Sequence, residues 1–185
     1  MLTYCLVTPS LPLALVFVDH IVSNNVKPWR TEWKIVAPDI NLAGSVDFIG
    51  KNIDGSFTLY DWKRAKDLRD KLSNQYDRRA KSPIDHLDDC DGAKYYLQLN
   101  IYRYILQKYY NIYVSNMILA SFHPNLDSYF HVEVPLWDAE VHSIINDLKG
   151  IDSGNTLDTS VASYKADKIV SPLKPPSTSK MDNPF

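Results

Sequence analysis

The chain is short of cysteine, of excess charge and of long apolar runs, and each shortage closes off a class of protein. Cys5 and Cys90 are the only two cysteines in 185 residues. One chain can therefore build neither a disulfide scaffold nor a four-cysteine zinc or iron–sulfur site, and a reducing compartment, cytoplasm or nucleus, is the expectation. Lys and Arg number 20 against 22 Asp and Glu, a formal charge of -2, which excludes a polybasic protein that coats nucleic acid by bulk charge. The longest apolar run, Leu11 to Val18, is closed by Asp19-His20, well short of the roughly 18–20 residues of a membrane span. No basic residue precedes it and no small-residue cleavage pattern follows, so it does not read as a secretory signal. No internal repeat is present.

What is present is an ordinary globular composition, 45% hydrophobic and 23% charged, in a chain long enough to close one hydrophobic core. The Leu11–Val18 run reads as a buried helix capped by Ser10 and ended by Ser23-Asn24-Asn25 and Pro28. Thr31–Val36, Asn41–Gly50 and Phe57–Lys63 read as three strands of an antiparallel meander, the last reached through the Asp54-Gly55 turn. Residues 64 to 90 break the periodicity and read as an insertion. Helical spacing then runs from Tyr95 to Tyr110, with Leu99, Tyr102, Ile105, Leu106 and Tyr109 on the buried stripe. Tyr113–Phe122 and Tyr129–Val134 read as strands, and Asp138–Leu148 as a short amphipathic helix. The order α, β, β, β, insertion, α, β, β, α predicts an α/β (α+β) domain over 1–150, a mixed sheet with helices packed on it. Residues 151–185, rich in Ser, Thr, Asp, Lys and Pro, read as a flexible tail.

The residues that suggest chemistry gather on the second and third strands. Asp47 follows Gly44-Ser45-Val46. Asp61 and Lys63, separated by Trp62, share one face of an extended strand at about 6–7 Å. A hairpin that sets Asp47 beside Asp61 brings two carboxylates together, and a divalent cation between them makes that arrangement favourable. Oxygen donors without a His/Cys set favour Mg²⁺ or Mn²⁺, with the backbone carbonyl of Trp62 as a third oxygen. The alternative is a pair of strand-end acids in surface salt bridges with Lys63 and Arg64. On the helix, Gln98 and Tyr102 lie four apart and stack on one face; a core tyrosine beside an amide gives the same pattern.

Taken in order, Gly44-x-x-Asp47, Asp61-Trp62-Lys63 and Gln98-x-x-x-Tyr102 resemble the PD-(D/E)XK nuclease superfamily, in particular its RecB-like exonuclease branch. The flanks of the last two motifs are similar to those of virus- and phage-encoded members. The resemblance covers residues 30 to 122 and implies a restriction-endonuclease-like core and a Mg²⁺- or Mn²⁺-dependent deoxyribonuclease of replication, recombination or repair, acting on single strands or duplex ends. It implies metal ligation by Asp47 and Asp61, activation of water and phosphate stabilisation by Lys63, and positioning by Gln98 and Tyr102. Asp61 stands where many members have Glu. Members often add a ligand from an N-terminal helix; Glu32 is the preferred substitute here, with a cross-strand pair to Lys34 as its structural alternative, and His20 reads better as a helix-terminus residue. Two rivals are a catalytically silent nucleic-acid-binding or assembly subunit inside a replication or repair complex, and a structure- or sequence-specific endonuclease of the same superfamily; besides DNA, the expected partners are further copies of the chain, as a homo-oligomer, or such a complex.

The insertion supplies positive charge. Between 63 and 81 lie eight basic residues and three acidic ones. Arg64, Lys66, Arg69, Lys71, Arg78, Arg79 and Lys81 are therefore the expected DNA-binding residues, unless the segment is simply a solvated loop. The run Asp85-x-x-Asp88-Asp89-x-Asp91 reads as the start of the following helix or a solvated acidic loop.

Overall fold

The computed structural model describes residues 11–154 except 124, 127 and 128, and the side chains of 15–150 among them. Four α-helices and five strands follow in the order α1 (Leu11–Ser23), β1 (Lys27–Ala37), β2 (Leu42–Lys51), β3 (Phe57–Lys63), α2 (Leu68–Lys71), α3 (Asp91–Tyr110), β4 (Val114–Ser121), β5 (Phe130–Glu133) and α4 (Asp138–Gly154), with a 3-10 turn at Pro38–Ile40. The strands form one sheet in the order β1-β2-β3-β4-β5. β1, β2 and β3 make the expected antiparallel meander, β4 lies parallel to β3 after the α3 crossover, and β5 returns antiparallel. The mixed sheet flanked by helices is thus the observed architecture.

Alternation along the strands sorts the apolar residues into two layers. Ile35, Val46, Leu59 and Leu119 face α3 and α4, where Leu99, Ile105, Leu106, Val141 and Ile145 complete the larger core. Phe48, Tyr60 and Ile118 face the other way and pack with Phe17 and Ile21 of α1. Val46 and Ile49 both join the larger core although they are offset by three positions, an odd step, so the alternation slips between them. Across the ladder, Glu32 has φ 48, a left-handed conformation uncommon outside glycine and asparagine. The slip falls at Asp47 and gives that side chain its own direction.

Three expectations change. α1 is half-buried, with Leu15 58%, Val18 52% and Val22 66% exposed, because among its described residues one stripe, Phe17, His20 and Ile21, faces the sheet. Residues 64–90 are folded. Leu68 is 1% exposed, Gly92 sits where an added Cβ would be 2.6 Å from the Leu72 backbone, and Arg79 and Asp88 form an isolated antiparallel bridge. Side-chain bonds from Asn74 to the Arg78 backbone hold the turn between. These are contacts without period, which is why the segment reads as a loop. Finally, α4 runs past residue 150, and the expected tail lies, from 155 onward, outside the described residues.

Candidate metal centre

The β2–β3 ladder ends at Phe48↔Tyr60, and the next position on each strand is a carboxylate, Asp47 and Asp61. Asp47 turns across the gap and its Oδ2 accepts the amide N–H of Trp62 at 3.0 Å. In an extended strand the N–H and C=O of one residue leave on the same side, so the Trp62 carbonyl also faces Asp47, beyond the last ladder pair. The Lys63 carbonyl is directed oppositely, toward β4, where it accepts from the Phe122 amide at 3.0 Å.

Asp61 is 4% exposed, so the alternative of a surface salt bridge does not describe it. Lys63 Nζ lies 2.6 Å from its Oδ2, a buried charge-assisted contact. Burial pushes the Asp61 carboxyl above its ordinary range, the Lys63 ammonium offsets part of that, and the charge on Asp47 adds to it.

α3 completes the cluster. Lys63 Nζ donates to Gln98 Oε1 at 3.3 Å, and Gln98 Nε2 donates to the Tyr102 hydroxyl at 2.8 Å. The ammonium also lies 4.7 Å from the centroid of Tyr95, one helical turn before Gln98. Tyr95 was not among the expected site residues; its i−3 spacing from Gln98 was the available signal. Tyr102 in turn fills the space over Gly44, where a Cβ would stand 2.3 Å from a ring carbon. Gly44 is therefore a packing requirement of the Tyr102 ring.

The structure thus brings Asp47, Asp61, Lys63, Gln98 and Tyr102 together around the backbone of Trp62, whose ring points to the other face and packs on Phe17 and Phe48. Glu32 falls across from Asp47, between the pairs Thr31↔Phe48 and Trp33↔Val46, but its exposed side chain makes no hydrogen bond or ion pair among the described residues, with Lys34 or with the centre. His20 lies on the opposite face, 5.2 Å from His131 between ring centroids. Among the described residues no group of three or more His, Cys, Asp or Glu side chains is gathered to hold a metal. The oxygens open to a cation are two carboxylates and one carbonyl.

The expected DNA-binding residues divide. Lys71 is 3.7 Å from both Asp67 and Asp91, and Arg79 pairs with Asp88 at 2.8 Å. Arg69 lies over Phe130 at 4.8 Å and Arg78 over Tyr76 at 5.3 Å. Arg64, Lys66 and Lys81 are exposed and carry no ion pair among the described residues. The acidic run is spent on local cations, Asp88 on Arg79 and Asp89 on Lys94, with Asp91 in the first turn of α3.

No family model matches the chain, and no curated protein matches it. Sixteen chains of solved structure do. One of them, the crystal structure of SSO0001, is 17% identical, with a TM-score of 0.37 over 76% of this chain and 58% of that one. This chain therefore spans less than two thirds of that structure's length. No described helix is long and apolar enough to cross a membrane.

Proposed function

We propose that the chain is a Mg²⁺- or Mn²⁺-dependent deoxyribonuclease of the RecB-like type, hydrolysing phosphodiester bonds. The observation that carries the reading is the chain of direct contacts Asp61–Lys63–Gln98–Tyr102, with Asp47 bonded to the Trp62 amide between Asp61 and Lys63, drawn from three elements. The residues fit a hard divalent ion. Asp61 is buried with its Oδ2 against the Lys63 ammonium, Asp47 bonds the neighbouring Trp62 amide, and the donors, the Trp62 carbonyl among them, are all oxygen.

Asp47, Asp61 and the Trp62 carbonyl would hold such an ion, which when bound would supply a nucleophile near neutral pH and counter-charge for the phosphate. The remaining work belongs to the chain. Asp47 is aimed by the Trp62 amide, and Lys63 presents a positive charge to the phosphate oxygens and orients the attacking water. Gln98 and Tyr102 are positioning residues: Tyr102 fixes the Gln98 amide, whose oxygen holds the ammonium on its outer side.

The test is cleavage of labelled linear and closed circular DNA, single-stranded and duplex, in Mg²⁺, Mn²⁺ and EDTA, with Lys63→Ala alongside. Metal-dependent cleavage lost in Lys63→Ala is expected, and loss of activity on closed circles identifies an exonuclease. Wild-type protein that leaves every substrate intact overturns the proposal and favours the silent binding subunit.

A further inference from the structure

The edge of the sheet carries cations that the proposed centre does not use. Lys27, Arg30 and Lys34 lie on β1 and Lys51 ends β2. All four are exposed, and among the described residues none is ion-paired; Lys34 donates to Ser45 Oγ at 2.9 Å. The ladder sets Lys27 directly across from Lys51, a like-charge pair that opposes strand pairing unless an anion lies over it. Lysines on an edge strand also keep sheets from pairing edge to edge. That role does not account for Lys51, whose strand is paired on both sides, to Lys27 and to Phe57.

Aromatic rings interleave with these charges. Trp29 is 39% exposed, and the Arg30 guanidinium lies 4.8 Å from its centroid and 4.7 Å from that of Trp33. Held between two rings, Arg30 keeps its donors turned to solvent. Trp33 packs on Tyr110 of α3 and Trp29 on Phe57, so the patch lies on the α3 side of the sheet, as the carboxylates do. Along β2, Lys51 stands four residues from Asp47, about 13 Å at about 3.3 Å per residue.

We infer that this face is a second contact for a nucleic-acid strand, with Lys27, Lys51 and Arg30 on its phosphates and Trp29 stacked on a base. The choice of nucleic acid over another polyanion rests on the proposed function.

The test uses a labelled oligothymidylate of about 20 nucleotides in EDTA, followed by fluorescence anisotropy across a salt series, with Lys27→Ser/Lys51→Ser and Trp29→Ala. Losing two phosphate contacts makes the slope of log K on log salt shallower by roughly 1.4 and weakens binding about tenfold at moderate salt. Trp29→Ala weakens it about five- to hundredfold. The lysine variant has a Tm equal to or above that of the wild type, since the opposed charges are gone, and keeps its thermal shift in Mn²⁺. Unchanged affinity and slope in that variant overturn the inference, as does loss of binding to phosphatidylserine vesicles with oligonucleotide binding intact. Wild-type protein that binds through these lysines but cuts nothing supports this surface and sinks the nuclease reading; the converse result does the reverse.

Discussion

Replacing Gly44 with alanine isolates the contact that holds the α3 half of the centre. Gly44 has no positive φ, so its backbone accepts alanine, and only the Tyr102 ring stands in the way. The added Cβ would lie 2.3 Å from Cε1, 2.8 Å from Cζ and 3.0 Å from the hydroxyl. Ordinary contact begins near 3.4 Å, so the ring must retreat by about 1 Å in an interior that packs like a crystal. Overpacking of this kind costs about 1–3 kcal/mol, which is a fall in Tm of roughly 2–12 °C for a chain of this size. A retreat of that size also breaks the 2.8 Å bond from Gln98 to the Tyr102 hydroxyl, and Lys63 loses its positioned acceptor. Chemical denaturation of Gly44→Ala, Tyr102→Ala and the double variant closes the cycle. Gly44→Ala should be costly in the wild-type background. It should be neutral, or stabilising through lost glycine freedom, once the ring is gone, with a coupling well above the ~0.5 kcal/mol of independent sites. An equal penalty in both backgrounds refutes the packing argument, and cleavage that survives Gly44→Ala undiminished refutes the role given to Tyr102.

Asp61→Asn should raise Tm in EDTA. The folded carboxyl titrates above its unfolded value, so its contribution is fully present below the unfolded pKa of about 3.9 and is lost as pH rises through the folded one. The gain from asparagine should therefore be visible in urea melts at neutral pH and vanish toward pH 4, while the Mn²⁺-induced thermal shift of the wild type disappears in the variant. Arg103→Met should lower stability by about 1–3 kcal/mol in the same melts without touching metal binding. Arg103 is 9% exposed, pairs with Asp138 and donates to the Val114 carbonyl at 3.2 Å, and its loss leaves that carbonyl unsatisfied. Replacing Arg64, Lys66 and Lys81 together with serine should leave Tm unchanged. On duplex DNA it should flatten the salt dependence of binding by up to about 2.7, at roughly 0.9 per phosphate contact; an unchanged slope removes these three from the DNA path.

What the sequence disclosed follows from how local each signal is. β3 begins at Phe57 and ends at Lys63 as expected, because Gly55 at φ 87 closes a tight turn and the Asp54 carboxylate takes the Ser56 amide at 2.9 Å. The start of β1 was hidden, since Lys27 to Glu32 are all exposed on a sheet edge and carry no alternation. The first turn of α3 was hidden for a different reason: its N-cap is Cys90, whose Sγ accepts from the Ala93 amide at 3.4 Å, and cysteine is not a residue that announces a cap. At the centre, Asp61 with Lys63 and Gln98 with Tyr102 were legible, each pair lying on one element at that element's period. Tyr95 was not, because its contact with Lys63 joins two elements, and the requirement for Gly44 became visible only with Tyr102 placed over it.

The charge balance of the centre fits the cation that the proposed function calls for. Two carboxylates face one ammonium, a net of one negative charge in a space where Asp61 is 4% exposed. Lys63 offsets part of that cost through its 2.6 Å contact with Asp61 Oδ2. Its other neighbours are the Gln98 carbonyl oxygen and the Tyr95 face, which stabilise an ammonium without cancelling it. Under the proposed nuclease reading, Lys63 would leave Asp61 for a phosphate oxygen while Gln98 and Tyr95 of α3 still flank it, and the freed carboxylate would join the ligands of the ion. Bracing the lysine from the helix and the acids from the sheet would then let one charge be exchanged without unfolding either half.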